Sequence, residues 1–208
     1  MRTVLCYGDS NTWGYLAMSA DRLDRWERWP GVLQHELGED VHVVEEGLTG
    51  RTTMFEAPGQ PGRSGLEFLP IALETHAPLD LVILALGVND LFVPGVTARW
   101  AARGIETLVE AIRSSGAGID GQPPAILVMA PPPVGPMPAE WEADAPRARE
   151  ESRRLGDEFR TICEPLGVPV LDLAEVCQAN PLDGVHFGQE EHHAIGLAVA
   201  DRLHRLLA

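Results

Sequence analysis

The chain has 208 residues and a formal net charge of −15, which argues against nucleic acid or an anionic membrane surface as a main partner. All sixteen basic residues are arginine, so a lysine Schiff base, a Ser-Lys dyad and a P-loop lysine are excluded. The three cysteines, Cys6, Cys163 and Cys177, form no C-x-x-C pair and no zinc-type spacing, which suits a reducing compartment.

The N-terminus, MRTVLCYGD, leads directly into a strand pattern without the apolar segment of a signal peptide. No run approaches the ~20 apolar residues that span a bilayer. The expectation is a cytoplasmic protein of one domain, residues 1–208.

In chain order, the first strand is TVLCY (3–7), and GDSNTWG (8–14) follows it. WPGVLQHEL (29–37) reads as a helix with proline near its start. HVVEE (42–46) is the second strand, and Gly47-Leu48-Thr49-Gly50 leaves it. GLEFLPIALETH (65–76) is helical in pattern, with Pro70 arguing for a late start.

DLVILAL (80–86) and AILVMA (125–130) are continuous apolar runs, as parallel strands buried on both faces require. Gly87-Val88-Asn89-Asp90 follows the former. Between the two runs lies a long amphipathic helix pattern, 97–115. A further pattern, 147–167, reads as one charged helix. VPVLDL (168–173) is a short fifth strand, followed by Asp183-Gly184-Val185-His186. The segment 189–207 closes the chain as a helix. This alternation predicts an α/β fold, a three-layer α/β/α domain with a mainly parallel sheet.

In such a sheet, ligands bind outside the carboxyl ends of the strands. Four loops there bring together a hydroxyl, a glycine amide, a carboxamide and an Asp/His pair. Acyl transfer from serine needs these parts: a nucleophile, a base, a group that orients the base, and donors for the oxyanion. In an Asp-x-x-His turn the carboxylate of Asp183 can hold one imidazole nitrogen of His186, leaving the other for Ser10.

Each residue also has a plain structural reading. Ser10 and Asn89 could be ordinary turn residues, and Gly47 could be required by the backbone. Asp9 and Asp90 read as supports for the loops that carry Ser10 and Asn89. His192 falls on the buried stripe of the last helix and reads as structural. A metal site from His186, Glu190 and His192 or His193 lacks a standard zinc spacing, so no metal is expected.

With GDSNTWG at 8–14, Gly47 in EEGLTGRTT, GVND at 87–90 and DGVHF at 183–187, the chain resembles the SGNH (GDSL-type) hydrolases. RWPGVLQHEL, LPIALETHAPLDLVILALGVND and APPPVGPMP look closest to the arylesterase/acyltransferase (perhydrolase) branch.

The resemblance implies a flavodoxin-like five-stranded parallel sheet. It implies Ser10 as nucleophile, His186 as base and Asp183 as its orienter. The oxyanion hole would comprise the amides of Ser10 and Gly47 and the side chain of Asn89. It implies no cofactor, a small-molecule ester substrate and a homo-oligomer. Two positions depart from the family pattern: Asn11 replaces a leucine and Val88 a threonine. Both are expected near the acyl pocket, with Val185. Trp13, Tyr15 and Phe92 either line that pocket or pack beneath it.

The expected activity is hydrolysis of short acyl esters, with acyl transfer to an alcohol or peroxide where the pocket excludes water. A carbohydrate O-acetylesterase or a thioesterase would use the same triad. A non-catalytic flavodoxin-like binding protein is the reading from another class, and GDSNTWG is poor in the glycines a phosphate-cradling loop needs.

Overall fold

The computed structural model describes residues 1–19, 21–57, 59–139, 141 and 145–206. Five strands form one sheet: β1 (Arg2–Gly8), β2 (Val41–Gly47), β3 (Leu81–Ala85), β4 (Ala125–Ala130) and β5 (Val170–Asp172). Their order is β2-β1-β3-β4-β5 and every pairing is parallel, as in doubly wound flavodoxin-like sheets. The expected fold class is the one observed.

The helices are α1 (Ser10–Trp13), α2 (Trp29–Leu37), α3 (Gly65–His76), α4 (Ala98–Ser114), α5 (Ala145–Ser152), α6 (Leu155–Cys163) and α7 (Gln189–Leu206). Alternate residues of the central strands feed two cores, because successive side chains point to opposite faces. Leu5, Tyr7, Val82 and Leu84 face α3, α4 and α6. Val4, Cys6, Leu81 and Ile83 face α2 and α7.

On α4, Ala98, Ala101, Ala102, Ile105, Leu108, Val109 and Ile112 are buried at helical spacing. Truncating a fully buried side chain such as Leu84 to alanine should cost about 2–5 kcal/mol. On the other face, a Cβ at Gly196 would stand 2.6 Å from the Val32 side chain, so glycine lets α7 lie close against α2.

Three expected elements differ from those observed. The segment 147–167 is not one helix: α5 ends at Ser152 and α6 begins at Leu155. At the break the Arg154 amide turns back to Glu151 O at 2.9 Å. There Ser152 Oγ accepts from the Val134 amide at 2.8 Å, tying the break to the loop after β4. The fifth strand shortens to three half-buried residues. Pro70 does not delay α3, which starts at Gly65. Its ring is exposed, so the missing amide falls on the solvent side. The last predicted helical residue, 207, lies outside the described residues.

No helix among the described residues is long and apolar enough to cross a membrane.

Candidate active site

β1 and β2 end in register, Gly8 beside Gly47. The chain leaves β1 into α1, whose first residue is Ser10. Asp9 caps this turn, its Oδ1 accepting from the Asn11 amide at 2.9 Å. The Gly47 position is a close approach of two backbones. A Cβ there would stand 2.2 Å from the Trp13 nitrogen, so α1 can lie over the end of β2 only if residue 47 has no side chain.

Asp183 and His186 share one turn beyond β5. Asp183 is fully buried, and its Oδ1 accepts from the amides of Val185 (3.0 Å) and His186 (2.9 Å), an Asx-type turn. Its Oδ2 lies 2.7 Å from His186 Nδ1. Burial alone would raise the Asp183 carboxyl, but these three hydrogen bonds outweigh it and hold the pKa below the ordinary value. On the far side of the ring, His186 Nε2 lies 3.0 Å from Ser10 Oγ.

Asn89 opens a 3-10 turn, Asn89–Phe92, just beyond β3. Its Nδ2 donates to Arg51 O at 3.1 Å and to Asp9 Oδ2 at 3.3 Å. Asp9 and Asp90 do tie loops together. Asp9 is bonded to Asn89 and Asn11, and Asp90 accepts from the Thr53 amide (3.0 and 3.1 Å) and hydroxyl. Burial pushes Asp9 up to about 6, against the Asn11 amide and the charges of His186 and Arg51. Burial pushes Asp90 to about 7, against the bonds from Thr53.

The expected pocket residues fall into two groups. Tyr15 is half-buried, with its ring centroid 4.3 Å from that of His186. Trp13 is 6.4 Å from Tyr15 and lies under the Arg22 guanidinium, and its carbonyl accepts from Arg22 and Arg28. Val185 is half-buried beside His186. Val88 is buried, and Phe92 packs against the core.

Asn11 is buried as well. Its Nδ2 donates to Val185 O at 3.3 Å, and its Oδ1 has no partner. It borders a small, mainly apolar cavity with Trp29, Met129, Phe187 and Ile195.

His192 is fully buried, its Nδ1 facing the Trp29 amide at 3.3 Å. Burial lowers its pKa to about 4, with Arg28 and His186 adding to the effect, so the ring is neutral and structural. Among the described residues no group of three or more His, Cys, Asp or Glu side chains could hold a metal ion.

Two residues of the site were not singled out in the sequence, Arg51 and Thr53. Both stand in the EEGLTGRTT block. A signal was present for Arg51, an arginine four residues after Gly47 in a stretch destined for the sheet edge. For Thr53 there was none beyond proximity.

The GDSL-like lipase/acylhydrolase family matches residues 6–194. An M. smegmatis aryl esterase is 34% identical with a TM-score of 0.94, the match covering 99% of this chain and 100% of that one. A carbohydrate acetylesterase from Sinorhizobium meliloti is 34% identical with a TM-score of 0.93, over 99% and 100% of the two chains. A second S. meliloti structure, a carbohydrate acetylesterase family member, is 39% identical with a TM-score of 0.90, over 100% and 99%. No curated protein sequence matches the chain.

Proposed function

The chain belongs to the GDSL-like lipase/acylhydrolase family and is a carboxylic ester hydrolase, and from that premise we propose that it cleaves short-chain acyl esters through a Ser10-His186-Asp183 triad. The observation that carries this reading is the hydrogen-bonded series from Ser10 Oγ to His186 Nε2 (3.0 Å) and from His186 Nδ1 to Asp183 Oδ2 (2.7 Å). Asp183, accepting from Nδ1–H, fixes the tautomer in which Nε2 is free to take a proton.

In this mechanism Ser10 Oγ attacks the ester carbonyl carbon while its proton passes to His186 Nε2. The carbonyl π pair moves to oxygen, and the amides of Ser10 and Gly47 with Asn89 Nδ2 stabilise that charge. Of the two bonds Asn89 makes at rest, the 3.3 Å one to Asp9 is the longer and therefore the weaker. The oxyanion collapses, the ester C–O bond breaks, and His186 returns its proton to the leaving alcohol. Water then attacks the acyl-serine by the same steps in reverse role, releasing the acid and restoring Ser10. An alcohol or peroxide in place of water gives acyl transfer.

A second reading, removal of acetyl groups from carbohydrate, is favoured by the likeness to the S. meliloti acetylesterases. Both readings share the triad and a short acyl group and differ in the leaving alcohol. The test assays wild type and Ser10→Ala on phenyl acetate, an acetylated sugar and an acyl thioester, with fluorophosphonate labelling of each protein. Turnover and labelling should vanish together in S10A. Retention of most activity in S10A would sink the proposal, and the ratio between the three substrates ranks the two readings.

A further inference from the structure

Arg51 is 3% exposed, and it reaches all three loops that carry Ser10, Gly47 and Asn89. Its Nη1 donates to Gly8 O at 2.8 Å and to Glu46 O. Its own carbonyl accepts from Asn89 Nδ2 at 3.1 Å. Gly8 stands two residues before Ser10, and Glu46 one before Gly47.

The guanidinium is itself held in place. It lies 4.2 Å from the Tyr7 ring centroid and 5.4 Å from that of Phe68, which is cation–π range. The Arg51 amide donates to Leu48 O at 3.1 Å, closing the turn after β2.

We propose that Arg51 is the positioning residue of the oxyanion site, fixing the spacing between the Ser10 loop, Gly47 and the Asn89 carboxamide without touching substrate. The inference rests on the reading of Ser10, Gly47 and Asn89 as the oxyanion donors.

The physical case starts where the sheet ends. β1 and β2 pair as far as Gly8 and Gly47, and the Leu48 amide adds a last bond to Gly8 O at 3.1 Å. Arg51 Nη1, bonded to a carbonyl on each strand, clamps this final rung from the side chain. Bonds from an ionised donor are stronger than neutral ones. The third loop is then attached through Arg51's own backbone, so Asn89 moves with the same residue. Donors that stabilise an oxyanion must be in place before charge develops, and small displacements are costly. The bond to the carboxamide comes from the backbone, so what the arginine side chain adds is the tie between that backbone and the carbonyls of Gly8 and Glu46.

The test compares Arg51→Met and Arg51→Lys with wild type on an aryl acetate. It reads KM, kcat per fluorophosphonate-titrated site, and affinity for a boronic acid that forms a tetrahedral adduct with the active serine. R51M should lower kcat about 100-fold, the scale of losing one oxyanion donor, with KM changed less than about threefold. Boronic-acid affinity should weaken by about the same factor as kcat/KM. R51K should lose only about tenfold, because both carbonyl bonds leave from a single nitrogen that an ammonium can replace.

Wild-type kcat per titrated site in R51M overturns the proposal. So does a kcat loss unaccompanied by weaker boronic-acid binding. If R51M does not fold, R51K decides: a several-fold loss in kcat and boronic-acid affinity supports the proposal, and wild-type values overturn it. Failure of the underlying reading looks different, because Asn89→Ala would then keep wild-type kcat. With N89A impaired in kcat and the Arg51 variants at wild-type level, only this inference fails.

Discussion

His186 Nε2 stands 3.0 Å from Ser10 Oγ, although 176 residues separate them. Neither residue reaches the other by local structure. Ser10 is set by the exit of β1 and His186 by the Asp183 turn beyond β5. The sheet brings the two turns to one edge, and Asp183 aims the ring.

The aim can be broken without changing shape. In Asp183→Asn the carboxamide oxygen can keep the two amide bonds from Val185 and His186, which turns the NH2 toward His186 Nδ1. The ring must then carry its proton on Nε2, facing Ser10, where it cannot act as base. kcat on an aryl ester should fall about 10⁴-fold with circular dichroism unchanged. A loss below about tenfold would remove Asp183 from the mechanism.

Asn89→Ala tests the proposed oxyanion donor. kcat should fall by about 10²–10³ with KM little changed. The variant also strands Arg51 O and Asp9 Oδ2, so stability should drop by about 1 kcal/mol as well. A raised KM at unchanged kcat would make Asn89 a ground-state contact instead.

The sequence and the structure part company where tertiary contact decides. The apolar runs of β1, β3 and β4 announce buried parallel strands, because they are short, continuous and bounded by turn residues, too short for a buried helix. The polar loops that follow them were legible for the same reason, each sitting at the end of a recognisable strand. The division of 147–167 was not, because its amphipathic pattern runs unbroken across Arg153 and Arg154. What stops the helix is packing around Ser152 and Val134, eighteen residues apart. Nor were the bonds of Arg51 legible, since they go to carbonyls at Gly8 and Glu46. A carbonyl has no side-chain signature. The bond of Asn11 to Val185 O, at the rim of a small cavity, likewise goes to a distant backbone carbonyl.

The buried carboxyl of Asp90 should make stability depend on pH in a definite direction. Its pKa is pushed up to about 7, against about 3.9 in an unfolded chain. Between those values the folded protein binds a proton at Asp90 that the unfolded chain has released, so this group's contribution to stability falls as pH rises from about 4 to about 7 and then levels. Asp9, raised to about 6, acts in the same sense, while the lowered pKa of His192 works in the opposite sense. Asp90→Asn keeps an acceptor for Thr53 and does not titrate. Denaturant curves of D90N and wild type should therefore diverge with rising pH, in favour of D90N by a few kcal/mol. Parallel profiles from pH 4 to 8 would refute the raised pKa.

Gly47→Ala tests whether the glycine is required by the approach of α1. The new Cβ would stand 2.2 Å from the Trp13 nitrogen and 2.6 Å from its Cα, both backbone atoms with no freedom to rotate away. α1 must lift, carrying Ser10 with it. Unfolding free energy should fall by about 1–3 kcal/mol, and fluorophosphonate labelling should slow at least about tenfold. Normal stability with slow labelling would mean that the methyl blocks substrate and leaves α1 in place.

Asn11→Leu separates stability from selectivity at the position where the chain departs from its family's pattern. Asn11 Oδ1 is buried without a partner, and such an acceptor costs about 1–3 kcal/mol. Leucine removes it and presents an apolar side chain to Trp29, Met129, Phe187 and Ile195 across the cavity. The bond lost to Val185 O is long, 3.3 Å, and only partly buried, so solvent can replace it. Net stability should rise by about 1 kcal/mol, read as a higher denaturant midpoint at unchanged slope. A lower midpoint would show that the Asn11–Val185 bond, joining the Ser10 turn to the His186 turn, is worth more than its length suggests.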